Sequence, residues 1–372
     1  MRGAQRFDVA VVTSAHRADD VRVYRKQCRA LAAAGYKVLL IAPGPGGIFE
    51  PAAGVTHVRI VRPKNRWLRI LLGPVLAFAA VWRSRVRAVH IHDPELLPLL
   101  LVWKYSGVGR RALYDAHESL PEQIKGKTYI PSVVRPVIAE VIGSLLAVAV
   151  RLCDGVVCAT GYIEESLRGA RKSITIYNYP WISDFPEPRM DNCGSVGDLC
   201  FVGSVSEARG LVSMHELSKE WRVSIAGPVS ASLKERYEGP NYVGQIPGHD
   251  IPEFISGHVC GLAIYSKLAN YQYGVPTKVF EYMAAGRPFI VTDLPGCVEL
   301  FAVGAGGMVV DTDDLDAIFE AISLIMGNPT RSVQLGQEAR KAFLERFSFD
   351  SEALRLCSFY SDLNIRANGS PS

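Results

Sequence analysis

A proline-led segment carries the densest chemistry in this chain: Pro276-Thr277-Lys278-Val279-Phe280-Glu281-Tyr282-Met283-Ala284-Ala285-Gly286-Arg287-Pro288. Gly274, Val275 and Pro276 lead into a helix, and proline suits a first helical turn because its missing N–H would find no partner there anyway. A helix start offers free N–H groups and the positive end of the helix dipole, a seat for a diphosphate. Glu281 lies about one turn inside, where its carboxylate can accept from both hydroxyls of a ribose whose phosphates rest on the helix start. The same spacing fits an ordinary amphipathic helix in which a solvated Glu281 pairs with Lys278 three residues earlier. Upstream, Phe201-Val202-Gly203-Ser204-Val205-Ser206-Glu207-Ala208-Arg209-Gly210 reads as a strand, a tight turn and a basic residue entering a helix. Arg209 can grip a phosphate with its forked guanidinium, or stand as a surface arginine in a first helical turn. Asn241-Tyr242-Val243-Gly244-Gln245-Ile246 is a short strand into a glycine turn, where exposed backbone at Gly244 and Ile246 could read a base edge.

Imidazoles and carboxylates gather in the first half. His117 ends a strand, between Asp115 and Glu118, and can hydrogen-bond a sugar or a leaving phosphate; it also fits a structural cluster. His92 and Asp93 end another strand, and Asp93 alternatively caps the helix opening at Pro94. His16, Asp19, Asp20 and Arg22 fill the first loop after a strand, with Asp20 also a candidate helix cap.

These residues need strands to present them, and both halves supply strand–helix alternation, the pattern of parallel sheets built from βαβ units. Strands are expected at 7–13, 37–43, 55–61, 87–93, 112–117, 155–160 and 173–178, then at 198–204, 221–227, 260–266, 287–293 and 306–311. Helices are expected near 66–82, 94–106 and 132–152, and from about 315 to 363. The Pro-, Gly- and charge-rich stretch 181–198 reads as a linker between a first domain, 1–180, and a second, 199–345; residues 346–372 form a closing helix and tail. A chain of 372 residues is long for one core. In doubly wound sheets ligands bind outside the carboxyl ends of the strands, which is where these side chains fall.

At this point the chain resembles a known group. The helix 276–288, the Gly203–Gly210 turn and the Val243-Gly244 turn follow the order and spacing of the retaining GT-B glycosyltransferases of group 1, family 4. The helix is most similar to the branch reading P-x-K-x-F-E-Y-M-A-x-G-x-P. Further similar segments are His90-Ile91-His92-Asp93-Pro94-Glu95-Leu96-Leu97-Pro98, Tyr114-Asp115-Ala116-His117-Glu118, Asn178 before the linker, and Phe347-Ser348-Phe349-Asp350 at the last helix. The resemblance implies two Rossmann-like α/β domains facing a cleft, with the last helix returning to the first domain. It implies transfer, with retention, from a nucleotide-diphosphate sugar, Glu281 binding the donor ribose, Arg209 the diphosphate, and His117 the donor sugar. His16, Asp19, Arg22, His92 and Asp93 would border the acceptor. Ser204 stands where the group usually has a second basic phosphate ligand, and Tyr273 where many members carry a second Glu. Lys278 is positioned in sequence to compensate at the phosphates.

No cofactor is expected, and no metal: Arg209, Lys278 and a helix start can neutralise a leaving diphosphate. The eight cysteines are scattered with no CxxC pair, as expected of buried thiols in a reducing compartment. The N-terminus reads as a first strand and not as a signal peptide. Residues 1–180 hold 26 Lys and Arg against 13 Asp and Glu, a net of +13; residues 181–372 hold 15 against 24, a net of −9. No acid lies between Glu50 and Asp93, while Arg59, Arg62, Lys64, Arg66, Arg69, Arg83, Arg85 and Arg87 do. With the apolar stretch 67–82, too short to span a bilayer, this suggests an anionic membrane surface and a lipid-linked or saccharide acceptor, for a cytoplasmic or peripheral protein. The stretch 137–150 reads instead as a core helix. A nucleotide-sugar epimerase of the same fold, or a non-catalytic relative, remains the alternative; no nucleic-acid motif is present.

Overall fold

The structure, a computed structural model, describes residues 7–63, 65–125, 131–188, 197–267, 274–301 and 305–367. Two compact units emerge: Met1–Asn178 with Glu352–Ser372, and Tyr179–Ser351.

In the first unit the chain runs β1 (Val9–Val12), α1 (Val21–Cys28 at π-helical pitch, continuing as Arg29–Ala33), β2 (Val38–Pro43), β3 (Val55–Ile60), α2 (Arg66–Ser84), β4 (Ala88–Ile91), α3 (Leu97–Tyr105), β5 (Arg111–Ala116), α4 (Leu120–Lys125), α5 (Arg135–Leu152), β6 (Gly155–Cys158), α6 (Gly161–Ser166) and β7 (Ser173–Thr175). The strands form one parallel sheet in the order β3-β2-β1-β4-β5-β6-β7. Central strands such as Val9–Val12 are buried throughout because helices cover both faces, so they read as continuous apolar runs. Phe78 and Val81 of α2, Leu100 and Trp103 of α3, and Leu146 and Val150 of α5 pack on the same face of the sheet.

The helix over 137–150 departs from the core helix expected there. Only Ala139, Leu146 and Val150 of α5 are buried, while Val137, Val141, Leu145 and Val148 are exposed, Leu145 to 65%. Composition could not separate an apolar helix inside a core from one that merely lies against a sheet.

In the second unit β8 (Gly197–Val202) leads through a 3₁₀ turn (Glu207–Arg209) to α7 (Leu211–Leu217), β9 (Val223–Ala226), α8 (Ala231–Arg236), β10 (Asn241–Gly244), α9 (Ile251–Ser256), β11 (His258–Ala263), α10 (Thr277–Ala284), β12 (Phe289–Thr292), α11 (Pro295–Phe301), β13 (Gly307–Val310), α12 (Leu315–Met326) and α13 (Pro329–Arg346). The sheet is parallel, β10-β9-β8-β11-β12-β13. Gly197 opens β8 inside the stretch read as linker; 189–196 lie outside the described residues. The helical tail resolves into α12, α13 and α14 (Phe349–Asp362). From Glu352 on, α14 belongs to the first unit, where Tyr360 donates to or accepts from His90 Nδ1 at 2.7 Å and the Leu363 carbonyl accepts from Arg111.

Candidate functional site

Each sheet reverses its strand order once, between β8 and β11 in the second unit and between β1 and β4 in the first. The chemistry gathers at both places.

In the second unit the turn after β8 is shaped by two glycines. Gly203 has φ +115°, a conformation L side chains rarely adopt, and Gly227 (φ +157°) lies so close that a Cβ would sit 1.9 Å from the Gly203 carbonyl oxygen. Gly227 N–H in turn donates to the Gly244 carbonyl at 2.8 Å, joining the turns after β8, β9 and β10. Ser204 is exposed, and its carbonyl accepts from Arg209 Nη1 at 3.0 Å. Ile246 is half-buried in the loop beyond β10. Gly274 and Val275 are half-buried ahead of Pro276, which caps α10, and Thr277 is exposed. Tyr273 lies outside the described residues.

Lys278 and Glu281 do not pair as an exposed helix couple. Glu281 is half-buried, while Lys278 turns inward: its Nζ donates to the Tyr265 hydroxyl and lies 4.1 Å from the Phe201 ring centroid and 4.7 Å from that of Tyr265. Phe201 is the penultimate residue of β8 and Tyr265 follows β11, so the amine stands where the strand order reverses, 3.9 Å from where a Cβ on Gly203 would be. Burial pulls this amine down to about 7, with Arg209 adding to the effect and Glu281 opposing it.

In the first unit the centre is a residue noted in the sequence only as a neighbour of His117. Asp115, fully buried on β5, receives a guanidinium fork from Arg22 (Nε at 3.1 Å to both oxygens, Nη2 at 2.9 Å) and an amide donor from Gln27. Burial pushes its carboxyl up, but Arg22, His117 and His92 together hold it well below the usual carboxylate range. Arg22 was expected at the acceptor; it is buried, and its remaining donors go to the Ile176 carbonyl and Asn178 Oδ1, so it braces β5 instead. An aspartate inside a strand, ALYDAH, was the available signal.

Around Asp115 the rings assemble. His92 Nδ1 lies 3.0 Å from His117 Nε2 and 3.4 Å from Asp115 Oδ2. The His92 side chain is fully buried, so it too cannot border an acceptor as expected. Among the described residues its Nε2 has no partner. An orphaned lone pair costs less than an orphaned N–H, so the proton belongs on His92 Nδ1, which donates to His117 Nε2. His117, 20% exposed, then carries its own proton on Nδ1 and can donate it to a ligand. Burial keeps His117 below the ordinary imidazole range, and His92 further below.

Asp93 is buried and does not cap the helix after it; Oδ2 accepts from Thr13 Oγ1 at 2.8 Å, Ser14 N–H at 2.6 Å and Ala15 N–H at 3.2 Å, pinning the loop after β1. That loop presents His16, whose Nδ1 is 3.3 Å from Asp20 and Nε2 3.5 Å from Asp93; its hydrogen bond with Asp20 raises its pKa. Asp20 also caps α1, accepting from Arg22 and Val23 N–H. Asp19 accepts from Gly46 N–H and joins two loops. His16 and His117 rings stand 5.0 Å apart and are the partly exposed members. His90, His92 and Asp115 bring possible metal-ligand atoms within 4.8 Å, but a cation there would have to displace the Arg22 fork. Among the described residues no disulfide joins the cysteines, and all but half-buried Cys357 are buried; Cys193 lies outside the described residues.

The chain has recognisable relatives. The family model for glycosyltransferase family 4 matches residues 21–178, and a glycosyl transferase-like model matches 209–358. Over 119 residues the chain is 29% identical to an N,N'-diacetylbacillosaminyl-diphospho-undecaprenol alpha-1,3-N-acetylgalactosaminyltransferase of Campylobacter jejuni; the match spans 32% of this chain and 30% of that enzyme's length. Among solved structures it is similar to sucrose-phosphate synthase of Thermosynechococcus elongatus (TM-score 0.73, 15% identity, 96% of this chain and 98% of that one). It is also similar to HepE of Anabaena in complex with UDP and glucose (TM-score 0.68, 12% identity, 95% and 99%). With a family 4 glycosyltransferase match on one parallel sheet and a glycosyl transferase-like match on the other, the chain is a glycosyltransferase, and its fold overlaps GT-B structures over nearly their full length.

Proposed function

We propose that this glycosyltransferase takes its sugar from a nucleotide-diphosphate donor held in the second unit, and passes it with retention to a lipid-linked or saccharide acceptor. One observation carries the donor reading: Lys278 Nζ is buried at the strand reversal beneath the Gly203 turn, with Arg209 nearby and the start of α10 beside it. Two cations and a helix start suit a diphosphate. They meet the charge that develops as it leaves, without a metal among the groups needed. Glu281, one turn along α10, accepts from the ribose hydroxyls. Gly244 and Ile246 border the base. His117 offers its Nδ1–H to a sugar hydroxyl, and His16 and Asp20 flank the acceptor. HepE binds UDP, and the Campylobacter enzyme's name specifies a diphospho-undecaprenol acceptor, which supports both ends of the reading.

No described helix is long and apolar enough to cross a membrane. The outward sides of α2 and α5 nonetheless expose Leu71, Leu72, Val75, Val141 and Leu145, with Arg69, Arg83 and Arg85 on or next to α2. Such a face suits peripheral attachment to an anionic leaflet at the cytoplasmic side, where a lipid-linked acceptor is presented.

Thermal-shift titration with nucleoside diphosphates and their sugars, followed by transfer assays on lipid and saccharide extracts, tests the reading. A preferred nucleotide raises the melting temperature through linkage, and the matching sugar nucleotide yields a glycosylated product. Donor isomerisation without transfer would favour an epimerase, and no effect of any donor would remove the catalytic reading.

A further inference from the structure

The amine of Lys278 is built to change its charge. It is 6% exposed, and among the described residues a single oxygen, the Tyr265 hydroxyl, receives from it, although an ammonium has three donors to place. Among the described residues, the ring faces of Phe201 and Tyr265 lie against it. No carboxylate forms an ion pair with it among the described residues. The charged neighbours divide unevenly by element. Arg209, on the turn after β8, disfavours a second cation, and Glu281, on the same helix, favours one. Beyond β11 stand Tyr265 itself and Lys267, whose amine is paired with Asp293 and Asp311; β12 contributes the neutral Thr292, which accepts from Tyr265 N–H. On α13, Arg340 is engaged at the far end of α10, donating to the Ala284 carbonyl. Lys278 is also in the first turn of α10, where the helix dipole disfavours positive charge. Ring faces attract a cation but do not replace the hydrogen bonds it gives up in leaving water.

We propose that Lys278 stands as a neutral amine in the empty site and takes up a proton from solvent when a nucleoside diphosphate arrives, so that donor binding and the charging of this one side chain are a single event. The inference rests on the donor reading above and adds what that reading lacks: a site without an uncompensated buried cation when empty, yet a full cation beside the diphosphate when loaded. In balance, the nitrogen lone pair accepts one proton on binding, and that proton returns to solvent when the nucleoside diphosphate departs. The sign follows. Well below neutral pH the amine is charged in both states and adds no pH dependence of its own. Above it, binding must draw a proton, and affinity falls by up to about tenfold per pH unit until the bound amine itself titrates.

The test is calorimetry on the full chain with UDP, GDP, ADP and dTDP at about pH 8.5, well above the ~6 of a terminal phosphate. Running the same titration in buffers of different ionisation heat counts the protons exchanged. The expected result is uptake approaching one proton for the nucleotide that binds, with its dissociation constant rising towards tenfold per unit above neutral pH. Lys278→Arg, charged throughout, should bind with no uptake and a flat pH profile, and Lys278→Met should show no uptake at reduced affinity. Binding without proton uptake in the parent chain, or uptake that persists in Lys278→Met, overturns the inference while leaving the donor site standing. If none of the four nucleotides binds, the donor reading fails and this inference with it. Should the variants not fold, the proton count on the parent chain still decides.

Discussion

At the scale of single residues, the first unit turns on Asp115. Its carboxylate is fully buried and holds Arg22, Gln27 and the His92–His117 pair. Removing its charge strands a buried guanidinium, so Asp115→Asn should lower the stability of that unit by about 3–5 kcal/mol in urea unfolding. The folded-state pKa lies below the unfolded value, so the pair's contribution is present above the unfolded pKa, about 3.9, and is lost as pH falls through the folded one. Acid denaturation of the parent should therefore include a component that Asp115→Asn lacks. Glu281 differs in being half-buried, and it is the residue proposed to meet the donor ribose. Glu281→Ala should leave melting in the absence of ligand nearly unchanged and weaken nucleotide binding by about 1.5–3 kcal/mol, roughly ten- to a hundredfold in Kd. Unchanged affinity for every nucleotide would remove the ribose role.

At the scale of elements, α2 and α5 share a property that ordinary surface helices lack. Both pack one side on the same face of the sheet, yet both keep large apolar groups on the other, Leu71 at 68% exposure being the clearest. Scattered exposed leucines need no explanation, but two helices with such faces on one side of a sheet do. Replacing Leu71, Val141 and Leu145 together with Asp should cost little stability, since these side chains are already exposed, and should sharply reduce co-sedimentation with anionic vesicles. Retention of full vesicle binding would show that these faces serve something else.

At the scale of the whole molecule, charge is divided along the chain, +13 in residues 1–180 against −9 in 181–372. Basic residues near an anionic leaflet contribute roughly 1 kcal/mol each and are screened beyond about 10 Å at 0.1 M ionic strength. Binding to anionic vesicles should consequently weaken as salt rises. Reversing Arg66, Arg69, Arg83 and Arg85 should abolish it while nucleotide binding survives, because donor binding is assigned to other residues. A parent chain that floats free of anionic vesicles at low salt would point to a soluble acceptor.

The sequence by itself determined the alternation of strands and helices, because fully covered parallel strands must be apolar runs and turns must carry glycine. It likewise set the candidate residues after strands: Gly203, Arg209, Lys278 and Glu281 in one half, His92, Asp93 and His117 in the other, all stand beyond apolar runs. Which of these face outward was a tertiary matter. Arg22 turned inward because Asp115, 93 positions away, supplies the charge that lets a guanidinium be buried, whereas His92 is buried as a neutral ring against His117. In sequence Lys278 reads as a candidate phosphate ligand, with pairing to Glu281 on the same helix as the alternative; only the approach of β8 to β11 brings Phe201 and Tyr265 around its amine. The same holds for α5, apolar enough for a core, whose outer side meets no partner among the described residues because the sheet it covers lies on the other. Periodicity reports how much apolar surface an element has, and long-range packing alone decides how much of it is covered.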